Sequence, residues 1–414
     1  MANKLWTKDF TIITLGSVVS MLGNAISGFA ISLLVLDFTR SNLLYALFIV
    51  AYTLPQVIMP VFSGAILDRF SRKRTIYSLD FISAGMYCFV AVVMLLGGFN
   101  IVFFLIYAFV VGSINSIYMV AYESFYPLLI SEGNYQKAYS IASVLETLSA
   151  VMIPVSAFLY NSIGIEPLFF INAGCFLIAA IMETQIKTEE KYIEQQKQAI
   201  EGENVGHVKR MLMDTKEGFK YLSVEKGLLA VAIYFTFSAF SGGASSVITL
   251  PYFKSNYNNG EYIYMLVWGM SVVGRAIGGL VHYRLKIPAK FRYMTAFAVY
   301  CIISVLEGSY LFLQIPLMMI MCFMIGLGGV TSFTIRVSAT QSYVPDEKKG
   351  RFNGAFNMLN TVGSVAGEMI AGALTVIIEP RLVLSGFMFI NLLAALFVIG
   401  RGRKHIEPIY NRQQ

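Results

Sequence analysis

A helix that crosses the hydrocarbon core of a bilayer needs about 20 mostly apolar residues. Twelve stretches of this 414-residue sequence meet that need. They lie near 10–36, 44–67, 76–97, 101–125, 138–161, 167–186, 226–252, 261–283, 292–313, 316–339, 352–377 and 382–400. Backbone polar groups in lipid must be satisfied within the segment, so runs of this length are read as helices. Composition agrees. Charged residues are 13% of the chain, against about 25% in a soluble domain, and the mean hydropathy is +0.66. The expected fold class is therefore an all-α membrane protein with twelve transmembrane helices.

Orientation follows from the cations. With the first residues placed in the cytoplasm, the loops on the opposite side hold only Arg40, Lys254 and Arg381. Arg275 and Arg336 lie within spans, which leaves 26 of the 31 Lys and Arg on the cytoplasmic side. That asymmetry is the positive-inside rule, and it puts both termini and the long central loop in the cytoplasm. It also accounts for the net charge of +7 without a nucleic-acid partner, since the cations sit in short loops between apolar runs.

The organisation expected is a six-helix half over residues 1–186, a cytoplasmic central loop over 187–225, a second six-helix half over 226–400 and a cytoplasmic tail over 401–414. The first part of the loop, 187–206, reads as a charged linker. In the second part Val208, Met211, Leu212, Thr215, Phe219 and Leu222 recur at helical spacing, which suggests a helix lying at the membrane surface. The halves echo each other at an offset of 213 to 214 residues. Gly28 maps onto Gly242, Gly64 onto Gly278, and the loop 131–139 onto 344–352. Two pseudo-symmetric halves of the same orientation place a substrate site near the midplane between them.

Several classes are excluded. No Gly-x-x-x-x-Gly-Lys phosphate loop is present, so ATP hydrolysis is not expected. His207, His282 and His405 lack ligand spacing. Cys88, Cys175, Cys301 and Cys322 fall inside apolar runs as packing residues. Neither an enzyme activity nor a cofactor or metal is expected. Residues 11–36 are long enough to span and no A-x-A-like site follows them, so no cleaved signal peptide is expected.

The most specific motif is the basic hairpin Gly64-Ala-Ile-Leu-Asp68-Arg69-Phe-Ser71-Arg72-Lys73-Arg74, between the second and third spans. A carboxylate near the bilayer surface needs a partner. Arg72 and the positive start of span 11, near Phe352, are the candidates for Asp68. Glu123, at the end of span 4, is placed to pair with Arg72 or Arg69. Topology alone requires cations and no carboxylate, so the order Gly-x-x-x-Asp-Arg-x-x-Arg-Lys points beyond topology. The hairpin closely resembles the loop signature of the major facilitator superfamily, a family of secondary transporters, and that resemblance extends over nearly the whole chain. It implies a gating latch that holds the two halves together, formed by Gly64, Asp68, Arg69 and Arg72. Ser71 stands where a glycine is often found, and the second copy has His282 at the aspartate position. The segments Leu36-Asp37-Phe38-Thr39-Arg40-Ser41, Tyr52-Thr53-Leu54-Pro55 and Asn353-Gly354-Ala355-Phe356-Asn357-Met358 resemble the drug-exporter branch that includes macrolide-efflux proteins.

Ionisable residues inside spans are functional candidates by default. The carboxylates farthest from loops are Glu146, Glu307 and Glu368, and the embedded cations are Arg275 and Arg336. Each glutamate either carries a proton or pairs with Arg, Tyr or Asn neighbours. For Glu307, near a span end, structural pairing is favoured because snorkelling is cheap. Glu123 and Arg336 occupy equivalent positions, 213 apart, and form a candidate gating pair. The proton mechanism of neighbouring antiporters does not carry over by motif. Ala108 holds the place of their arginine, four residues before Gly112, and the span 5 motif is reduced to Ile153-Pro154-Val155-Ser156. The function expected is proton-coupled efflux of amphiphilic drugs or metabolites by alternating access. The alternatives are a narrow-substrate exporter of a siderophore or lipid and a facilitator without proton coupling. The partners expected are a small-molecule substrate, protons and the lipid bilayer. The protein is expected as a monomer in a bacterial-type inner membrane.

Overall fold

The structure is a computed structural model. It describes residues 5–59, 71–131, 155–188, 207–284 and 287–412, with single positions 138, 141, 152 and 190. The described residues are helical almost throughout. In chain order the main helices are α1 (Lys8–Thr39), α2 (Asn42–Thr53), α3 (Arg72–Leu95), α4 (Ile101–Phe125), α5 (Ile165–Thr184), α6 (His207–Val224) and α7 (Lys226–Asn256). They continue as α8 (Gly260–Arg284), α9 (Arg292–Ser309), α10 (Ile315–Tyr343), α11 (Asp346–Leu374), α12 (Pro380–Ala394) and α13 (Arg403–Tyr410). α12 runs on through a π-helical segment, Ala395–Gly400.

Helix starts follow the residue chemistry. The Thr7 hydroxyl accepts the Phe10 N–H at 3.2 Å, and Asn100 accepts those of Val102 and Phe103 at 2.9 and 3.2 Å. Ser71 caps α3 by accepting the Arg74 N–H at 3.1 Å. Such a cap contributes about 1 kcal/mol, a local reason for serine at a position where glycine is often found. Pro316 and Pro380 open α10 and α12, where a missing N–H costs nothing.

Ten helices among the described residues are long and apolar enough to span a bilayer. α11 covers the eleventh expected span and is fully helical, yet it is not one of the ten. Its apolar face is interrupted by Asn357, Asn360, Thr361, Ser364 and Glu368. The fifth expected span, 138–161, lies largely outside the described residues, so a count of twelve is not established.

Contacts divide the chain into two compact units. The first contains Met1–Ser41 and Ala51–Met211, the second Asn42–Val50 and Leu212–Gln414. In the first, α5 packs on α1 and α3, and α3 on α4. In the second, α7 packs on α11 and α12, and α10 on α8 and α9. Close packing without a hydrophobic drive between helices relies on small residues. A Cβ on Gly112 of α4 would collide with the Tyr52 carbonyl, and one on Gly326 of α10 with the Ser271 carbonyl of α8. These glycines are 214 residues apart and do the same job in their own units. Ser27 and Ser241, also 214 apart, are both fully buried. Ser27 accepts from Asn172 Nδ2 of α5 at 2.6 Å, and Ser241 donates to the Phe387 carbonyl of α12 at 2.8 Å. The repeat read from sequence is thus carried by packing and polar contacts at matched positions.

α6 and α13 are not free polar segments. Gly218 of α6 sits against the Arg351 carbonyl, with Glu217 and Arg351 paired at 2.6 Å and Lys348 4.8 Å above the Tyr221 ring. Leu222 is buried, and Phe219 packs on the same cluster. In the expected tail, Ile406, Ile409 and Tyr410 of α13 are buried, and the hydroxyls of Tyr410 and Tyr300 lie 3.0 Å apart.

Candidate functional site: a cationic cavity and buried carboxylates

The second unit contains a cavity of about 390 Å³ lined by Phe235, Arg275, Gly329, Val330, Ser332, Phe333 and Arg336. Gly329, Val330, Ser332, Phe333 and Arg336 come from α10, Phe235 from α7 and Arg275 from α8. Two glycines two residues apart, Gly326 and Gly328, bring α10 close to its neighbours along this stretch. The Arg336 guanidinium carbon lies 4.9, 5.5 and 4.8 Å from the ring centres of Phe235, Phe333 and Phe356. A cation held over aromatic faces gains about 0.5–2 kcal/mol per favourable contact when desolvated. The cage orients Arg336 without neutralising it, and its Nε is buried without a hydrogen-bond partner. Two guanidinium groups and, among the described residues, no carboxylate line the cavity. It suits an apolar or aromatic body that carries a hydrogen-bond-accepting or anionic group.

Glu307 of α9 faces Ser245 of α7 and feels the charge of Arg275, without closing to an ion pair among the described residues. Glu368 of α11 is 3% exposed, and Ser364 donates to its Oε1 at 3.1 Å. His282 Nε2 lies 2.8 Å from Thr331 Oγ1. That hydroxyl is itself donated to the Leu327 carbonyl at 3.0 Å, so the imidazole is the donor. The histidine at the degraded hairpin's aspartate position thus links α8 to α10.

Of the hairpin residues, Gly64, Asp68 and Arg69 lie outside the described residues, as does Glu146. Arg72 opens α3 and donates from Nη1 to the Ser124 carbonyl at 3.0 Å. Its described contact is thus with the backbone beside Glu123, and Glu123 itself is exposed and forms no ion pair among the described residues. Arg275 and Arg336 are brought to one cavity, whereas Glu368 does not line it.

Sequence reading missed the two most deeply buried carboxylates among the described residues. Asp80 of α3 and Glu183 of α5 are 1% and 0% exposed, and their carboxyl groups face each other. Both were legible as acids inside expected spans. They stand four and three residues from the span ends, where a carboxylate ordinarily reaches interfacial water.

These helices define a multi-pass membrane protein. The chain belongs to the Major Facilitator Superfamily, whose family model matches residues 13–368. Members of that family are transporters and not enzymes. Among its relatives are YkuC, an MFS-type transporter of Bacillus subtilis, 25% identical over 66% of this chain and 62% of its own length, and macrolide efflux protein A of Streptococcus pyogenes, 23% identical over 67% and 66%. The chain spans just under two thirds of the length of these two relatives. YfiS, an MFS-type transporter of B. subtilis, is 22% identical over 89% of this chain and 87% of its own. The solved structure of a mutant of the nucleoside transporter NupG superimposes with a TM-score of 0.67, covering 96% of this chain and 99% of that one at 11% identity. The agreement is one of fold.

Proposed function

We propose that this chain is a secondary active exporter that moves amphiphilic drugs or metabolites by alternating access, driven by proton entry. The cavity of the second unit carries the reading. Phe235 and Phe333 offer apolar surface, and Arg275 and Arg336 offer donors that a substrate's polar group can satisfy. The macrolide-efflux relative supports the direction of transport. Proton coupling is energetically sufficient. One proton crossing about 100 mV contributes about 2.3 kcal/mol, and each pH unit adds about 1.4 kcal/mol. The two halves, 1–186 and 226–400, rock about the site. The hairpin of Gly64, Asp68, Arg69 and Arg72 acts as the latch, and Glu123 and Arg336 as a gating pair. The protein works as a monomer in the inner membrane with both termini cytoplasmic.

The pair of arginines, with no carboxylate among the described lining residues, favours a second, narrower reading, export of one class of anionic metabolite. Inverted membrane vesicles test both. A cationic dye, a macrolide and an anionic dye are offered with and without a protonophore. Protonophore-sensitive movement of several unrelated compounds supports the broad exporter, and movement of the anionic dye alone supports the narrow one. Uptake that ignores the protonophore sinks proton coupling.

A further inference from the structure

Away from the cationic cavity, the first unit holds a buried cluster of polar atoms. Asp80 of α3 and Glu183 of α5 face each other. Asp80 Oδ2 and both oxygens of Glu183 are buried and meet no hydrogen-bond donor. α1 closes the cluster on one side: a Cβ on Gly16 would lie 3.3 Å from Glu183 Oε1. Next to it Ser17, 4% exposed, has a buried hydroxyl without a partner, turned toward Tyr118 of α4. The Tyr118 hydroxyl is buried, also unpartnered, and lies within the field of both carboxyls. Thr14, one turn before Ser17, adds a further buried, unpartnered hydroxyl.

Two carboxylates in contact in a medium of low dielectric cannot both be charged. A cation or a proton must neutralise the pair. α1 presents Gly16 and Ser17, α4 presents Tyr118, and α3 and α5 present the two acids themselves. The nearest lysine on α3 is committed elsewhere: Lys73 Nζ donates to the Ile186 carbonyl at 3.0 Å. Past the end of α5, the Lys187 backbone N–H donates to Asp9. No group of three or more metal-ligating side chains occurs among the described residues. The ligand that fits is a proton.

We propose that Asp80 and Glu183 form a proton-binding pair that holds one shared proton between α3 and α5, and that this pair is the proton-carrying site of the exporter. The second clause rests on the transport reading above. When neutral, the pair lets Gly16 of α1 press directly on Glu183. When ionised, it places one or two charges in a dry contact of three helices, draws in water and weakens the hold of α1 on α5. One bound proton is thereby converted into looser or tighter packing of the first unit. Glu307 and Glu368 each face a serine hydroxyl.

The test uses the full chain, purified into lipid nanodiscs, with the proton as probe. Infrared spectra across a pH series report the C=O stretch of protonated carboxyls. The expected result is a band near neutral pH that shifts in Asp80→Asn and in Glu183→Gln, where one buried carboxyl remains, and is lost when both acids are replaced, with helical content unchanged by circular dichroism. A band that persists when both are replaced would place the proton elsewhere and overturn the site. Should either variant fail to fold, the unsubstituted chain still decides. Sodium chloride replacing choline chloride should leave the band intact, and its loss would make sodium the ligand and refute the proposal. Coupling is read separately in inverted vesicles with a fluorescent dye. For Asp80→Asn, uphill accumulation under one unit of pH gradient should fall about tenfold, the factor one proton supplies, while exchange persists. A band that behaves as expected with accumulation unchanged would overturn the transport role and leave the proton site standing.

Discussion

At the scale of single residues, Arg336 illustrates how a cation can be held by aromatic faces. Three phenylalanines enclose it, and their faces require a planar, weakly hydrated cation. Arg336→Lys should therefore act nearly as severely as Arg336→Gln, with each lowering dye transport about tenfold, equivalent to about 1.4 kcal/mol. Transport by Arg336→Lys at the level of the unsubstituted protein would show that charge alone matters. Gly112 and Gly326 make a second residue-scale case. An alanine at either would push into a neighbouring helix carbonyl, and overpacking of this kind costs about 1–3 kcal/mol. Thermal unfolding in detergent should show both variants melting earlier, whereas Gly28→Ala, where added volume meets open space, should melt as the parent does. Arg275 and Arg336 were legible as embedded cations. That they share a cavity was not, since α8 and α10 meet only through tertiary packing.

At the scale of elements, α6 is the helix that its apolar spacing announced. What the spacing left open was where it docks. Gly218 allows α6 to reach the Arg351 carbonyl at the start of α11. Gly218→Leu should release the helix, raising hydrogen exchange over residues 216–224. Glu217→Gln should do little, because the half-exposed pair with Arg351 is worth about 0.2–1 kcal/mol. Equal effects would show that the ion pair and not the close approach holds the helix. α13 is the second docked segment. Arg403, bonded to Glu407 at 2.8 Å, holds that carboxyl below the usual carboxylate range. A depressed carboxyl stabilises the folded state above its unfolded pKa, and the contribution is lost as pH falls through the folded value. Exchange protection of residues 403–410 should thus hold at neutral pH and weaken in the acid range. Protection that rises on acidification would contradict the pairing.

At the scale of the whole molecule, the cation count makes a topological prediction. Single cysteines replacing Lys254 and Lys404 should react with a membrane-impermeant maleimide from opposite faces of sealed vesicles, the first from outside the cell and the second from the cytoplasm. Labelling of both from one face would undo the assigned orientation. The sequence by itself determined the membrane class, most span positions, the repeat offset and the family. Each of these depends on hydropathy, charge or short motifs averaged along a local stretch of chain. Only the tertiary structure decided that Asp80 and Glu183 face one another across α3 and α5, that Arg336 sits in an aromatic cage, and that α6 and α13 are docked. Those outcomes depend on how each helix is rotated about its axis, and rotation is set by contacts between residues far apart in the chain.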